Sequence, residues 1–129
     1  MNKLIVFCLL IYMPALSCQQ NKTAKMLSVK EFAELIVDKN VQILDVRTPE
    51  EYSENHIPGA ININVNGDDF LAKADSLLSK EKKVALYCRS GNRSKKATAI
   101  LSEHGFEIYE LEKGFNAWVE SGMDAIVKD

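Results

Sequence analysis

Cys88 heads the run Tyr87-Cys88-Arg89-Ser90-Gly91-Asn92-Arg93-Ser94. The reactive form of a thiol is its thiolate, so the question is whether the neighbours favour the anion. Before the run lies Lys83 to Cys88 (KVALYC), an apolar stretch that reads as a buried strand. After it, Ser94 opens a stretch with Ala97, Ile100 and Leu101 at helical spacing. A loop passing from a strand into a helix turns successive backbone N–H groups inward and makes a nest for negative charge. Gly91 lets that loop turn tightly. Arg93 offers an anion a planar fork of donors, and Arg89, Lys95 and Lys96 add a positive rim. Arg89 and the two lysines read equally well as solvated side chains. The chemistry suggested is nucleophilic attack by a Cys88 thiolate on an anionic substrate. The plain alternative is an inert thiol buried at a strand end.

The elements that would position this loop follow in order. Ser28-Val29-Lys30-Glu31 has the form of a capping box, with Phe32, Leu35 and Ile36 continuing a helix over 29–38. Val41 to Val46 reads as a buried strand. Thr48-Pro49-Glu50-Glu51 restarts a helix, with Thr48 as cap, Pro49 in its first turn and Glu51 closing a second box. His56-Ile57-Pro58-Gly59 is a turn, and Ala60 to Val65 a short strand. Residues 69–79 carry Phe70, Leu71, Ala74, Leu77 and Leu78 as an amphipathic helix. Phe106 to Leu111 is a further strand, and Gly114 to Ser121 a last helix with Phe115, Trp118 and Val119. Strand alternates with helix throughout. The expected fold is therefore α/β, a parallel sheet with helices on both faces, whose ligands bind at the C-terminal ends of strands, where Cys88 falls.

Cys88-Arg89-Ser90-Gly91-Asn92-Arg93-Ser94 resembles the active-site loop of a rhodanese, the sulfurtransferase domain. Leu44-Asp45-Val46-Arg47, then Glu50-Glu51-Tyr52 and His56-Ile57-Pro58-Gly59-Ala60, resemble that family's upstream signature. Gly114-Phe115-Asn116-Ala117-Trp118 resembles its closing helix. The resemblance spans roughly residues 26–125. It implies a single domain with a five-stranded parallel sheet and a persulfide mechanism without metal or organic cofactor. Cys88 would take the outer sulfur of a small anionic donor such as thiosulfate and pass it to cyanide, a thiol or a protein acceptor. Residues 89–94 would bind the donor. Asp45 would be structural support, holding neighbouring loops. Arg47 would either help bind the donor anion or pair with an acidic neighbour. His56 reads as a turn residue rather than a base, His104 as a helix-end residue and Trp118 as core.

Competing readings are a non-catalytic sulfur carrier or binding module of the same fold, and a phosphatase or arsenate reductase. Loops of the latter kind hold five residues between Cys and Arg. Here four residues, Arg89 to Asn92, separate Cys88 from Arg93. A fourth reading, a periplasmic thiol-redox protein, would need an external thiol, because the expected mature domain carries neither a Cys-x-x-Cys pair nor a resolving cysteine.

The remaining cysteines, Cys8 and Cys18, lie near the N-terminus. Lys3 precedes an uncharged apolar run from Leu4 to Leu16, short for a membrane span but suited to a signal peptide. Ala15-Leu16-Ser17-Cys18 resembles the lipobox of bacterial lipoproteins, with Ala15 where leucine is preferred. The expectation is a signal peptide over 1–17, a lipidated Cys18, a polar tether over 18–25 and the domain over 26–129. The protein would then be exported, facing the periplasm or cell exterior, and touch the membrane through the anchor alone. An ordinary secretory signal is the alternative. The whole sequence, 129 residues with 16 basic and 18 acidic side chains, suits one domain and speaks against a nucleic-acid partner. Its 47% hydrophobic content speaks against disorder.

Overall fold

The computed structural model describes residues 24–127. The expected signal segment, the lipobox and Cys18 lie outside the described residues. Two capping boxes start the first two helices. Ser28 Oγ accepts the Glu31 N–H at 3.2 Å while Glu31 Oε1 accepts the Ser28 N–H at 3.1 Å, opening α1 (Val29–Leu35). Thr48 and Glu51 do the same for α2 (Pro49–Glu54). Each box satisfies N–H groups that a helix start leaves without an internal partner. α1 is capped by Ile36 and stops short of residue 38.

Five strands form one sheet: β1 (Ala24–Leu27), β2 (Gln42–Asp45), β4 (Ile61–Asn62), β5 (Val84–Tyr87) and β6 (Ile108–Leu111). Their order is β1-β6-β5-β2-β4, and every pairing is parallel. β1 corrects the tether expected over 18–25: Ala24 and Lys25 pair with Ile108 and Tyr109. Ala24, Lys25 and Met26 are exposed on this edge strand, so no apolar alternation marked it. A second, two-stranded ribbon joins β3 (Asn55–His56) to β7 (Ile126–Val127), so His56 sits in a strand rather than in the expected turn.

The remaining helices are α3 (Phe70–Leu77), α4 (Asn92–Glu103) and α5 (Gly114–Glu120). Strand side chains alternate between faces, and this divides the core in two. Val84 and Leu86 join Phe70 and Ala74 of α3 and Leu101 of α4. Ala85 and Tyr87 join Phe32 of α1 and Phe115 and Trp118 of α5. Helices therefore cover both faces of the sheet. Leu77 and Val119, named with the apolar positions of their helices, are 58% and 46% exposed.

Candidate active site

Cys88 follows the last residue of β5, and its sulfur folds back over the next loop. The Gly91 N–H donates to Cys88 Sγ at 3.0 Å. Burial pushes the thiol's pKa up, but the Ser94 hydroxyl and the N–H groups of Ser94, Gly91 and Ser90 outweigh it. The net direction is below the ordinary thiol value. α4 begins at Asn92, two residues before the expected Ser94, with Gly91 as its cap. No side chain caps this start, so its N–H groups are left for the sulfur and for an incoming anion.

Two glycines make the loop possible. Gly91 has φ +109°, and a Cβ there would lie 2.6 Å from the Glu112 carbonyl oxygen. Gly114 has φ +68°, and a Cβ would lie 2.6 Å from the Arg89 carbonyl oxygen and 2.7 Å from that of Cys88. This close approach lets the start of α5 bond the loop's back: Phe115 N–H to Cys88 O at 2.8 Å, Asn116 N–H to Arg89 O at 3.0 Å. Two loop carbonyls are thereby engaged by α5, and the N–H groups that follow are left facing the sulfur.

Beneath the loop lies a buried polar network. β2 and β5 pair Asp45 with Tyr87, one residue from Cys88. Asp45 Oδ1 accepts the Arg47 N–H at 2.9 Å, and Oδ2 accepts Arg47 Nη2 at 2.7 Å and the Tyr87 hydroxyl at 2.9 Å. Tyr87 Oη accepts the Ile57 N–H at 3.0 Å, and Arg47 Nη2 also donates to Asn55 O at 2.6 Å. Burial and the nearby Asp45 push the Tyr87 hydroxyl far above its ordinary pKa, so it remains a donor. One carboxylate thus ties the ends of β2 and β5 to the 55–57 segment. Of the two roles open to Arg47, the structure forms the ion pair. Its guanidinium is buried, 4.4 Å from the centre of the Phe115 ring, and edges a cleft rather than projecting into it.

The fork expected of Arg93 is also occupied. Nη1 and Nη2 donate to Glu51 Oε1 and Oε2 at 2.5 and 2.9 Å. The Arg93 bond, against some burial and with help from Thr48, lowers the Glu51 pKa to about 2. The capping box of α2 and the Cys88 loop therefore share one carboxylate, and Arg93 anchors the loop instead of offering its fork to a ligand. Arg89, Ser90, Asn92, Lys95 and Lys96 are exposed around the rim.

A cleft of about 320 Å³ opens on the Arg89 side of the loop, edged by Arg47, Glu54, Asn55, Phe115 and Glu120 among others. Cys88 is not among its walls. His56 stacks on Tyr52 at 3.8 Å, with Nδ1 2.8 Å from the Tyr52 carbonyl oxygen. His104 caps the end of α4, and Trp118 is core, its Nε1 donating to Asp124 O at 2.8 Å. Glu110 was missed by sequence reasoning. It is 2% exposed, and its Oε2 lies 2.6 Å from Ser94 Oγ. The signal was available: of the two acids in Phe106 to Leu111, Glu110 shares the alternation of Phe106 and Ile108 and so falls on the inward face, whereas Glu107 does not. Among the described residues no group of three or more His, Cys, Asp or Glu side chains is placed to hold a metal ion.

Residues 28–121 match the rhodanese-like domain family over most of the described fold. The chain belongs to the rhodanese-like family. It is 35% identical over 99 residues to the thiosulfate sulfurtransferase GlpE of Shewanella oneidensis, covering 75% of this chain and 94% of that one. It is 34% identical over 104 residues to the tRNA uridine(34) hydroxylase of Legionella pneumophila, covering 77% of this chain but 41% of that protein. Among solved structures, a rhodanese-related protein from Thermoplasma volcanium superposes with a TM-score of 0.69 at 32% identity, over 79% of this chain and 97% of that one. In this rhodanese-like domain the stretches that carried the resemblance meet at one place. Asp45 and Arg47 lie under Tyr87, Glu51 holds Arg93, and the Gly114 turn sits against Cys88 and Arg89.

Proposed function

We propose that the protein is a sulfurtransferase that carries sulfane sulfur as a persulfide on Cys88. The observation that carries this reading is the Cys88 sulfur held against the Gly91 N–H at 3.0 Å at the start of α4. The Cys88 thiolate attacks the outer sulfur of a donor such as thiosulfate. A bond forms between Cys88 Sγ and that sulfur, the donor's S–S bond breaks, and its electron pair leaves with sulfite. The persulfide's terminal sulfur carries the negative charge, and the ring of N–H groups stabilises it without reorganising. A thiol or cyanide then takes the terminal sulfur, and Cys88 departs as the thiolate. Charge balances in both halves, and no external oxidant is needed. The similarity to a protein named thiosulfate sulfurtransferase supports the donor class. The similarity to a tRNA hydroxylase shows how widely such domains are used, so the non-catalytic binding module is the reading to be defeated.

The test is thiocyanate formation from thiosulfate and cyanide by the reduced protein. The expected result is turnover with the parallel reciprocal plots of a two-step covalent mechanism, abolished in Cys88→Ser. Equal turnover in Cys88→Ser, or none from folded wild-type protein, would count against the reading.

Export and lipidation are the second part of the proposal. They rest on Lys3, the apolar run to Leu16 and the Ala15-Leu16-Ser17-Cys18 sequence. The acceptor would then be a thiol or protein outside the cytoplasm, with the membrane reached through Cys18.

A further inference from the structure

β6 presents Ile108 and Glu110 to the α4 side of the sheet, Glu110 in register with Leu86 of β5 and Met26 of β1. A carboxylate there stands among apolar neighbours and is 2% exposed, which is unfavourable unless its oxygens are bonded. α4 supplies the partners. Thr98 Oγ1 donates to Glu110 Oε1 at 3.0 Å, and Ser94 Oγ lies 2.6 Å from Oε2. Lys95 Nζ is 3.8 Å from Oε2, but its side chain is 58% exposed and largely screened.

The Ser94 hydroxyl has one proton and more than one claimant. Glu110 Oε2 lies at 2.6 Å and the Gly91 carbonyl oxygen at 3.1 Å, and the third claimant is the Cys88 sulfur, held 3.0 Å from the Gly91 N–H and favoured as thiolate by the same hydroxyl. A separation of 2.6 Å is that of a hydroxyl bonded to a charged oxygen. An ionised Glu110 therefore takes the Ser94 proton and turns a lone pair toward the other claimants. A protonated Glu110 donates through Oε2 to Ser94 Oγ and releases the Ser94 proton to the sulfur.

We propose that Glu110 is a positioning residue for Cys88: through the Ser94 hydroxyl, the carboxylate and the sulfur compete for one proton, and the charged carboxylate restrains thiolate formation. The proposal rests on Cys88 being the nucleophile. It adds a brake to the ring of donors described above. The other charged groups facing the pair are few. Arg93 faces Cys88 from α4, with its charge engaged by Glu51 of α2. Lys95 faces Glu110. β5 and β1 offer Glu110 only apolar neighbours, Leu86 and Met26. Asp45, Arg47 and the Tyr87 hydroxyl form their network on the opposite face of the sheet.

The experiment follows the ultraviolet absorbance of the thiolate against pH in the reduced full chain, with the Cys88→Ser titration subtracted to remove Cys8, Cys18 and the tyrosines. Wild type, Glu110→Gln, Ser94→Ala and the double variant are compared. Glutamine keeps the size and a donor toward Ser94 but removes the charge. The expected result is a midpoint lowered by about one unit in Glu110→Gln, roughly tenfold more thiolate below the midpoint. In the Ser94→Ala background the same change should give about half that shift or less. An unmoved or raised midpoint overturns the proposal. An equal fall in both backgrounds also overturns it, by assigning the effect to charge alone. Should the glutamine variant not fold, Glu110→Ala is read by the same criteria. The readout needs no sulfur donor, so it decides whether or not the protein transfers sulfur.

Discussion

At the scale of the residue, the shape of the Cys88 loop comes from what is absent as much as from what is present. Gly91 and Gly114 have no Cβ, and that allows the backbone to close around the Cys88 sulfur on one side and the start of α5 on the other. Alanine at 114 must accept a positive φ and a contact of 2.6 Å with a backbone oxygen that cannot swing away. We expect Gly114→Ala to cost about 2–4 kcal/mol in urea unfolding. A loss below about 1 kcal/mol would mean that the loop and α5 separate easily. Tyr87 is a second case. Its hydroxyl accepts from Ile57 N–H and donates to Asp45, all of them buried. Tyr87→Phe leaves a buried N–H without its acceptor and should cost about 1–3 kcal/mol. A neutral effect in the same unfolding experiment would show that the network repairs itself.

At the scale of the element, the Glu51–Arg93 pair couples a helix start to the Cys88 loop across 42 residues of sequence. The folded state lowers the Glu51 pKa to about 2, below the usual glutamate value of about 4.3 in an unfolded chain. A depressed carboxylate pKa contributes stability that is complete above the unfolded value and lost as pH falls through the folded one. Stability should therefore decline between about pH 4.5 and pH 2, and Glu51→Gln should flatten part of that decline. The pair is partly open to solvent, so the variant should lose only about 1–2 kcal/mol at neutral pH. Identical acid limbs in denaturation curves of the two proteins would contradict this. The same pair shows what a sequence reveals. Both capping boxes were legible because each lies within four residues. The partner of Arg93 was not, because nothing local says which distant carboxylate will reach its fork. β5 was legible from its unbroken apolar run. β1 was not, since an exposed edge strand with three solvent-facing residues has no pattern to read. The β3–β7 ribbon joins residues some 70 apart, and its two-residue strands are too short to carry a period.

At the scale of the whole molecule, the Cys88 loop was readable because strand, glycine and helix start follow each other directly in sequence. The buried supports beneath it come from separate segments. Asp45 was singled out through the family pattern, Tyr87 was read only from its place before Cys88, and Glu110 was passed over beside a second acid, Glu107, in the strand from Phe106 to Leu111. The rhodanese-like match spans residues 28–121, nearly all of the described residues. If Cys18 carries lipid, metabolic labelling with a radioactive fatty acid should mark the expressed protein and fail to mark Cys18→Ser. Equal label in both would remove the anchor from the account, while leaving the chemistry of Cys88 untouched.

The most direct test of the central claim is the intact mass of the reduced protein after treatment with thiosulfate, with Cys88→Ser measured alongside. The account predicts a gain of one sulfur atom in the wild type, none in the variant, and its removal on adding cyanide. A folded, reduced wild-type protein that gains no sulfur, or a Cys88→Ser variant that gains as much, would contradict it.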